Sequence, residues 1–357
     1  MKYKISVIIP TFNSEKFLDE TIKSVQNQSI GFENIELILI DDFSTDNTQN
    51  IIKKYVEKYD NILSYKLSEK AGAPGNARNI GINKANGEYL MFMDHDDCYP
   101  KDSLKLLYQK INGSQDSIVI GRFKTFGIAD WVSDEWVTKE MSINSLDENT
   151  NFITINNIWR MIFPEKLIRK NNIYFPEKMF AEDLAFMIET FLNAKKITFL
   201  PDYVYCFRIR ESDNSSTSYS KSFHYISKLL DGYFYTNNIL KNNNGCKYYD
   251  LLFSMHLGSW IDNIINSELT DNEKYQLLKQ SQPLFKELNM IDLNINPNFE
   301  LFRNIMEKLR DDKLEEAFSN LKEISNNIKN PKSNISLNKK NNTNKIKNKI
   351  KKILKKV

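Results

Sequence analysis

The apolar run Tyr89-Leu90-Met91-Phe92-Met93 leads directly into the acidic residues Asp94-His95-Asp96-Asp97. Such a run is typical of a buried strand, here one with an acidic tip. The three carboxylates of this tip repel one another and resist burial unless a cation or hydrogen bonds compensate them. Oxygen ligands favour Mg²⁺ or Mn²⁺, which usually keep positions open for phosphate oxygens. The stretch predicts a divalent-metal site that holds a nucleotide diphosphate; a solvated acidic turn or a helix cap is the alternative.

Strand-like and helix-like segments alternate on both sides of this stretch, over residues 1–125, which is the pattern of βαβ units and a mainly parallel sheet. Ser14 is expected to cap the first helix and residues 44–46 the second. Strands are predicted at 5–9, 35–40, 88–93 and 117–123, and helices at 15–28, 47–59, 76–85 and 101–111. Ligands of open α/β sheets bind beyond the carboxyl ends of the strands, so the polar residues there should converge on one crevice.

The remainder of the chain changes character twice. Residues 126–157 look irregular, and a helix at 182–193 and short strands at 196–200 and 204–208 follow. From about residue 221 to 325 helical spacing continues almost throughout, which predicts a separate helical region. Residues 326–357 are rich in Asn, Lys and Ser, a composition typical of a flexible linker and tail.

Length and composition exclude several classes of protein. A chain of 357 residues with 41% hydrophobic content can bury a sizeable core. The cysteines Cys98, Cys206 and Cys246 are odd in number and far apart, so neither a disulfide framework nor a zinc site is expected, and a reducing cytoplasm fits best. No apolar run approaches the ~20 residues of a membrane-spanning helix. The apolar run near the amino terminus, residues 5–10, is too short for a signal-peptide core.

The net charge of +3 hides an asymmetry between the body and the tail. Residues 324–357 hold eleven lysines and no acidic residue, so removing that +11 from the total leaves −8 for residues 1–323. A mildly acidic body argues against nucleic-acid binding, whose affinity comes largely from clustered Lys and Arg. In residues 341–357 the apolar side chains recur at helical spacing between lysines, at Ile346, Ile350, Ile353, Leu354 and Val357. This predicts a basic amphipathic helix for an anionic membrane surface, with a solvated tail as the alternative.

Five spaced motifs together resemble family 2 glycosyltransferases of the GT-A fold. They are Val7-Ile8-Ile9-Pro10-Thr11-Phe12-Asn13, Leu39-Ile40-Asp41-Asp42-Phe43-Ser44-Thr45-Asp46, Ala77-Arg78-Asn79, Asp94-His95-Asp96-Asp97 and Ala181-Glu182-Asp183. The resemblance covers residues ~3–215 and is greatest to bacterial enzymes that decorate capsule, lipopolysaccharide or wall teichoic acid. It implies a Rossmann-like mixed α/β sheet with flanking helices over residues 1–220, with a nucleotide-binding half at 1–125 and an acceptor half at 126–220, followed by the helical C-terminal region.

The resemblance also implies an activity and its central residues. Family enzymes move a sugar, usually from a UDP-linked donor, onto a hydroxyl with inversion at the anomeric carbon. By this likeness Asp96 is the metal carboxylate, with Asp94 near the ribose and the metal, and Mn²⁺ or Mg²⁺ neutralises the leaving diphosphate. His95 is a further ligand candidate, although in an extended segment it should point away from its neighbours. Asp183 matches the catalytic base, and Glu182 matches a helper or an acceptor contact, unless both acids only favour the dipole of the following helix.

Further residues match the nucleotide pocket of the family. Pro10, Thr11 and Asn13 match the turn that lines the uridine, and Asp41 and Asp42 can accept a hydrogen bond from the uracil N–H, Asp42 being the better candidate. Asn76 and Arg78 are predicted to lie beside the nucleotide, where a guanidinium suits phosphate or ring stacking, and an ordinary surface salt bridge is the alternative for Arg78. Tyr205, Arg208, Arg210, Ser215 and Ser216 follow the spacing of a segment that closes over the pyrophosphate, and the two arginines compete for that role.

The sequence gives fewer signals for the acceptor than for the nucleotide. Aromatic side chains lie where the family builds its acceptor wall, and core packing is the alternative for each: Trp131, Trp136, Trp159, Phe163 and Tyr174. A glycan or glycopolymer is the expected acceptor, and a homo-oligomer is left open. The expected location is the cytoplasm, or the inner face of the membrane if the tail binds there. A sugar-nucleotide nucleotidyltransferase and a non-catalytic glycan-binding protein are the competing functions.

Overall fold

The computed structural model describes residues 2–155, 157–210, 221–289 and 297–329. Its first half is a parallel sheet of order β3-β2-β1-β4, with helices between the strands. The strands are β1 (Tyr3–Thr11), β2 (Ile35–Asp41), β3 (Ile62–Lys66) and β4 (Gly87–Phe92), and the helices are α1 (Leu18–Gln26), α2 (Thr48–Val56) and α3 (Pro74–Lys84). The strands β1 and β2 end together, with Thr11 beside Asp41, so their polar ends share one edge of the sheet.

The second half extends the same sheet with mixed strand directions. The strand β7 (Met161–Pro164) runs antiparallel to β4 on one side and to β5 (Ser117–Gly127) on the other, so it joins the two halves. Beyond β5 lie β8 (Lys196–Ile209) and the edge strand β6 (Met141–Ile143). The flanking helices are α4 (Ser103–Ile111), α5 (Glu165–Lys170) and α6 (Glu182–Asn193). The expected mixed α/β sheet with flanking helices is thus confirmed.

Alternation along the strands builds one hydrophobic core on each face of the sheet. In β1, Ile8 packs on one face, while Val7 and Ile9 pack on the other, as the period-two geometry of a strand requires. All seven residues of β2 are buried, which is typical of a parallel strand covered on both faces. The helices α1, α2 and α4 cover one face, and α3, α5 and α6 cover the other.

The helical region continues the second of these cores. It consists of α7 (Phe223–Asn242), α8 (Tyr249–Ile265), α9 (Asp271–Lys286), α10 (Pro297–Arg310) and α11 (Leu314–Lys329). Trp260 of α8 is fully buried, and its indole N–H donates to the carbonyl of Ile226 in α7 at 3.0 Å. None of the helices in the described ranges is long and apolar enough to cross a bilayer. The predicted tail at 341–357 and the candidates Ser215 and Ser216 lie outside the described residues.

Several local predictions were wrong. The strands β3 and β7 were not predicted, and the two short strands at 196–200 and 204–208 are one strand, whose register against β5 shifts around Arg122. Ser14 does not cap α1, which begins at Leu18; its hydroxyl accepts instead from the backbone N–H of Phe12. At α2 the carboxylate of Asp46 accepts from the N–H of Thr48, so this part of the capping prediction is confirmed.

Candidate active site

The acidic loop after β4 is held by buried hydrogen bonds centred on Asp97. One oxygen of this carboxylate accepts from the Tyr205 hydroxyl at 2.8 Å and the other from the backbone N–H of Arg208 at 2.7 Å. The Tyr205 hydroxyl also accepts from the N–H of Asp94 at 3.1 Å. On the opposite side, the Thr21 hydroxyl donates to the carbonyls of His95 and Asp97. The loop is therefore fixed by β8 and α1, which leaves the carboxylates of Asp94 and Asp96 to other partners.

Arg78 connects this loop to the start of α6. Its guanidinium is almost fully buried, and it lies 3.2 Å from Asp94 Oδ1 and 2.8 Å from Glu182 Oε1. Burial opposes a positive charge there, but the carboxylates of Asp94, Glu182 and Asp183 outweigh it and raise the pKa of Arg78. The predicted metal loop and the predicted base therefore lie around one arginine.

Glu182 and Asp183 form the first turn of α6. Ala181, immediately before them, adopts a left-handed conformation with φ of 59°, which turns the chain sharply into the helix. Burial and the charge of Asp183 raise the pKa of Glu182 despite its ion pair with Arg78. Burial and the charge of Asp94 likewise raise the pKa of Asp183, while Arg78 lowers it. Asp183 is half-buried, so a ligand can reach it, and a raised carboxylate pKa is the condition of a general base.

The two competing arginines at the end of β8 have different environments. Arg208 lies between the rings of Phe17 and Phe126, donates through Nε to the carbonyl of Asp96, and forms an ion pair with Glu20. Arg210 instead points its Nε at the Asp96 carboxylate, 3.0 Å away. Arg208 is committed to holding the loop, so Arg210 is the arginine that can reach a bound anion beside Asp96.

The predicted nucleotide turn lies at the ends of β1 and β2. Asp41 is buried and accepts hydrogen bonds from the Thr11 hydroxyl and from the backbone and hydroxyl of Ser44. Asn13 has a positive φ of 47°, and its side chain accepts from the N–H of Thr45 at 2.9 Å. These bonds fix the turn, and Pro10 is buried within it.

Asp42 ties this turn to the loop before α3. Its carboxylate accepts from the backbone N–H groups of Ala71 and Gly72 at 2.6 and 3.3 Å. The loop leads into α3, where Asn76 is half-buried and Arg78 reaches the acidic cluster. Asp41 is therefore a residue that shapes the turn, whereas Asp42 positions the loop that carries the next candidates.

The prediction that five aromatic side chains line the acceptor site is wrong for two of them, Trp159 and Phe163. Trp159 is stacked on the ring of Tyr205 at 4.2 Å, and Phe163 packs against Phe92 and Phe186 in the core. Both are buried because Phe163 lies within the central strand β7 and Trp159 lies just before it, and the sequence did not reveal this strand. Of the others, Trp131 and Tyr174 are half-buried, and only Trp136 is half exposed, with its ring edge on Phe199.

The carboxylates of the loop suit a divalent cation that a substrate completes. In the described part of the chain no three His, Cys, Asp or Glu side chains form a ready ligand set. Mg²⁺ commonly uses one or two carboxylates together with substrate phosphates, and Asp94 and Asp96 can supply those two. Burial, followed by the charges of Asp96 and Asp94, raises the pKa of the neighbouring Asp97. This donor set fits Mn²⁺ or Mg²⁺.

Comparison with known proteins settles the family. The model of glycosyl transferase family 2 matches residues 6–173. The poly(ribitol-phosphate) beta-N-acetylglucosaminyltransferase TarP of Staphylococcus aureus is 32% identical over 251 residues, which cover 67% of this chain and 74% of TarP. The chain belongs to glycosyl transferase family 2.

Two further members give the extent of the likeness. The poly(ribitol-phosphate) beta-glucosyltransferase of Bacillus spizizenii is 31% identical over 222 residues, which cover 60% of this chain but 34% of that protein. This chain thus spans about a third of the length of that relative. The crystal structure of S. aureus TarS 1-349 in complex with UDP-GlcNAc has a TM-score of 0.75 and 23% identity, and the match covers 92% of both chains. At that identity the match shows a shared fold, and its coverage extends into the helical region.

Sequence reasoning missed some residues of this family 2 site. Asp97 received no role, although it is the third carboxylate of the predicted acidic tip and organises the loop. Phe17 and Phe126, which enclose Arg208, carry no motif and come from distant parts of the chain. The available signal was the acidic tip itself, because three carboxylates there require hydrogen-bond donors from elsewhere.

Proposed function

We propose that this chain is an inverting, metal-dependent glycosyltransferase that moves a sugar from a UDP-linked donor to a hydroxyl of a bacterial surface glycopolymer. The observation that carries the proposal is Arg78, which contacts both Asp94 of the acidic loop and Glu182, the neighbour of Asp183. A diphosphate held at that loop would lie in the same charged cluster as a carboxylate able to act as a base. Membership of family 2 supports the same activity.

Asp183 is the residue that moves a proton in this account. The acceptor oxygen forms a bond to the anomeric carbon while the bond from that carbon to the diphosphate oxygen breaks, with its electron pair leaving on UDP. The proton of the acceptor hydroxyl goes to the Asp183 carboxylate. Attack from the face opposite the leaving group inverts the anomeric carbon.

The other residues bind and orient the sugar donor. Asp94 and Asp96 would hold Mn²⁺ or Mg²⁺, which neutralises the charge that develops on the departing diphosphate. Arg210, beside Asp96, supplies a second positive charge to the same oxygens. Thr11, Asn13 and Asp42 shape the turn and loop proposed to hold the uridine.

The named relatives suggest which substrates to try first. TarP and the B. spizizenii protein are both named for transfer to poly(ribitol phosphate). The TarS crystal structure contains UDP-GlcNAc. We therefore propose a UDP-hexose or UDP-N-acetylhexosamine as the sugar donor and a polyol-phosphate polymer as the acceptor.

The test is transfer by the purified chain from UDP-GlcNAc, UDP-glucose and UDP-galactose to poly(ribitol phosphate), with Mn²⁺ or with EDTA. Transfer with at least one sugar donor, lost in EDTA and in Asp96→Asn, is the expected result. Asp116→Asn is the matched control because Asp116 is a half-exposed acid that pairs with Lys195, and it should retain transfer. Absence of transfer and of Mn²⁺-dependent UDP binding in the wild-type chain would contradict the proposal and favour a non-catalytic protein.

A further inference from the structure

The helical region begins with a helix that touches the segment leading to the catalytic pair. The backbone N–H of Phe180 donates to the carbonyl of Lys228 in α7 at 3.2 Å. At Gly232, a Cβ atom would lie 2.0 Å from the Phe180 carbonyl oxygen and 3.4 Å from the Cβ of Ala181. The absence of a side chain at Gly232 is what permits this approach, since no Cβ fits at 2.0 Å from a backbone oxygen. The first half of α7 is therefore in direct contact with the turn that sets Glu182 and Asp183.

The position of α7 is itself fixed. The Ser222 hydroxyl accepts from the N–H of Tyr225 at 3.2 Å, which caps the first turn of the helix. One residue further, the carbonyl of Ile226 accepts from the buried indole of Trp260. The first turn of α7 is thus capped at one end and anchored in the core by α8. A side chain on this turn has a defined place relative to α6.

Tyr225 occupies that place. Its ring centroid lies 4.7 Å from that of Phe180, and the side chain is half-buried. Burial, followed by the charges of Glu182 and Asp183, raises the pKa of Tyr225 to about 12. Its ring lies on Phe180, which is two residues before Glu182. Among the described residues, this hydroxyl makes no hydrogen bond. A phenol that lies on the segment leading into the proposed acid pair, remains within reach of solvent and lacks a hydrogen-bond partner is suited to bind a ligand hydroxyl.

A second tyrosine on the same side of the helix has a different environment. Tyr233 lies two turns beyond Tyr225, where a helix returns to the same side. It is buried, and its pKa is raised by burial and by the charges of Tyr225 and Asp183. The Tyr233 ring packs on Phe253 and His256 of α8, so Tyr225 is the tyrosine of this pair that lies on Phe180.

We propose that Tyr225 is an acceptor-binding residue, and that the C-terminal helical region through α7 supplies one wall of the acceptor site beside Asp183. The inference rests on the proposed function. The ligand is a polyol or sugar unit of the acceptor, with one hydroxyl directed to Asp183 and a neighbouring hydroxyl bonded to the Tyr225 phenol. The helical region is then part of the active site rather than a separate support.

The test compares Tyr225→Phe with the wild-type chain in Mn²⁺-dependent transfer from UDP-GlcNAc to poly(ribitol phosphate). Loss of one hydrogen bond to the acceptor should raise the acceptor KM by about three- to tenfold. The KM for UDP-GlcNAc and the rate of its hydrolysis by water should not change, because neither involves the acceptor. A change in KM with an unchanged kcat indicates lost binding in both ground and transition states.

Tyr235→Phe is the matched control, since Tyr235 lies on the same helix and is 39% exposed. It should leave every parameter unchanged. An acceptor KM in Tyr225→Phe equal to that of Tyr235→Phe would overturn the inference, as would an equal rise in the KM for UDP-GlcNAc. A failure of the proposed function is distinguishable because it would appear in the wild-type protein as a lack of transfer.

Discussion

Arg78 and Glu182 form a buried ion pair of 2.8 Å that joins the helix α3 of the nucleotide half to the first turn of α6. The same guanidinium reaches Asp94 of the acidic loop. Residues that are 104 positions apart in sequence are therefore linked by one side chain. The charge on Arg78 favours ionised carboxylates on both sides of the site, which gives the site a characteristic dependence on pH.

Transfer should fail as the pH is lowered through the pKa of Asp183, because only the ionised carboxylate accepts a proton. Burial raises this pKa above the usual aspartate range, and Arg78 opposes the rise. Arg78→Gln should therefore move the acid limb of the kcat/KM profile to higher pH. Since Glu182 titrates beside Asp183, the limb reports the pair.

The matched control for this pH profile is Arg122→Gln, an arginine of β5 that donates to the carbonyl of Ser133. Its acid limb should coincide with that of the wild type. A limb that stays in place, or moves to lower pH, in Arg78→Gln would show that Arg78 does not act on the base.

Tyr205→Phe should destabilise the acidic loop without leaving a cavity in the core. The substitution keeps the ring that stacks on Trp159 but removes the hydroxyl shared by Asp97 and the N–H of Asp94. Leaving a buried carboxylate short of one hydrogen bond costs about 1–3 kcal/mol. Urea unfolding should show this loss, and isothermal titration should show weaker Mn²⁺-dependent UDP binding. Tyr203→Phe on the same strand should change neither, and equal effects in the two variants would contradict the role given to the Tyr205 hydroxyl.

Substitution of the two arginines at the end of β8 should have different effects, one on binding of the sugar donor and the other on stability. Arg210→Ala removes the partner of the Asp96 carboxylate and should raise the KM for UDP-sugar by about tenfold with little change in urea midpoint. Arg208→Ala removes contacts to Phe17, Phe126 and the Asp96 carbonyl, and should lower the midpoint clearly. If Arg210→Ala destabilises the protein and Arg208→Ala only weakens binding of the sugar donor, the roles given to the two arginines are reversed.

The basic tail predicts a salt-sensitive association with anionic membranes. Deleting residues 341–357 removes seven lysines and the periodic apolar side chains. Cosedimentation with phosphatidylglycerol vesicles should be lost in the deletion variant, while turnover on a soluble acceptor stays the same. A matched variant that keeps the lysines but has Ile346, Ile350 and Ile353 replaced by Ser should also bind less. Equal vesicle binding by all three forms would remove the membrane prediction.

The nucleotide half of the fold followed closely from the sequence because its signals are local. Apolar runs at residues 5–9, 35–40 and 88–93 mark three of its four parallel strands, and polar residues mark their ends. The strand β3 was not predicted because it lies at an edge of the sheet, its burial alternates and it contains no apolar run. The strand β7 escaped because its four residues pair only briefly with β4 and β5.

Candidate site residues could be predicted from the sequence where they belong to a motif, but not where their role depends on contacts between distant elements. The sequence identified Asp94, Asp96, Glu182 and Asp183, and the structure brings Arg78 against two of them. It could not choose between Arg208 and Arg210, because the choice depends on two aromatic rings from other elements. It also gave no role to the helical region, since the contact of Gly232 with Phe180 arises only when α7 packs on α6.

The assignment of Asp183 as the base is tested by Asp183→Asn, measured for both UDP binding and transfer. Mn²⁺-dependent UDP binding should equal that of the wild type, and transfer should fall by about 10²–10⁴-fold because the proton acceptor is gone. Normal transfer by Asp183→Asn would contradict the account.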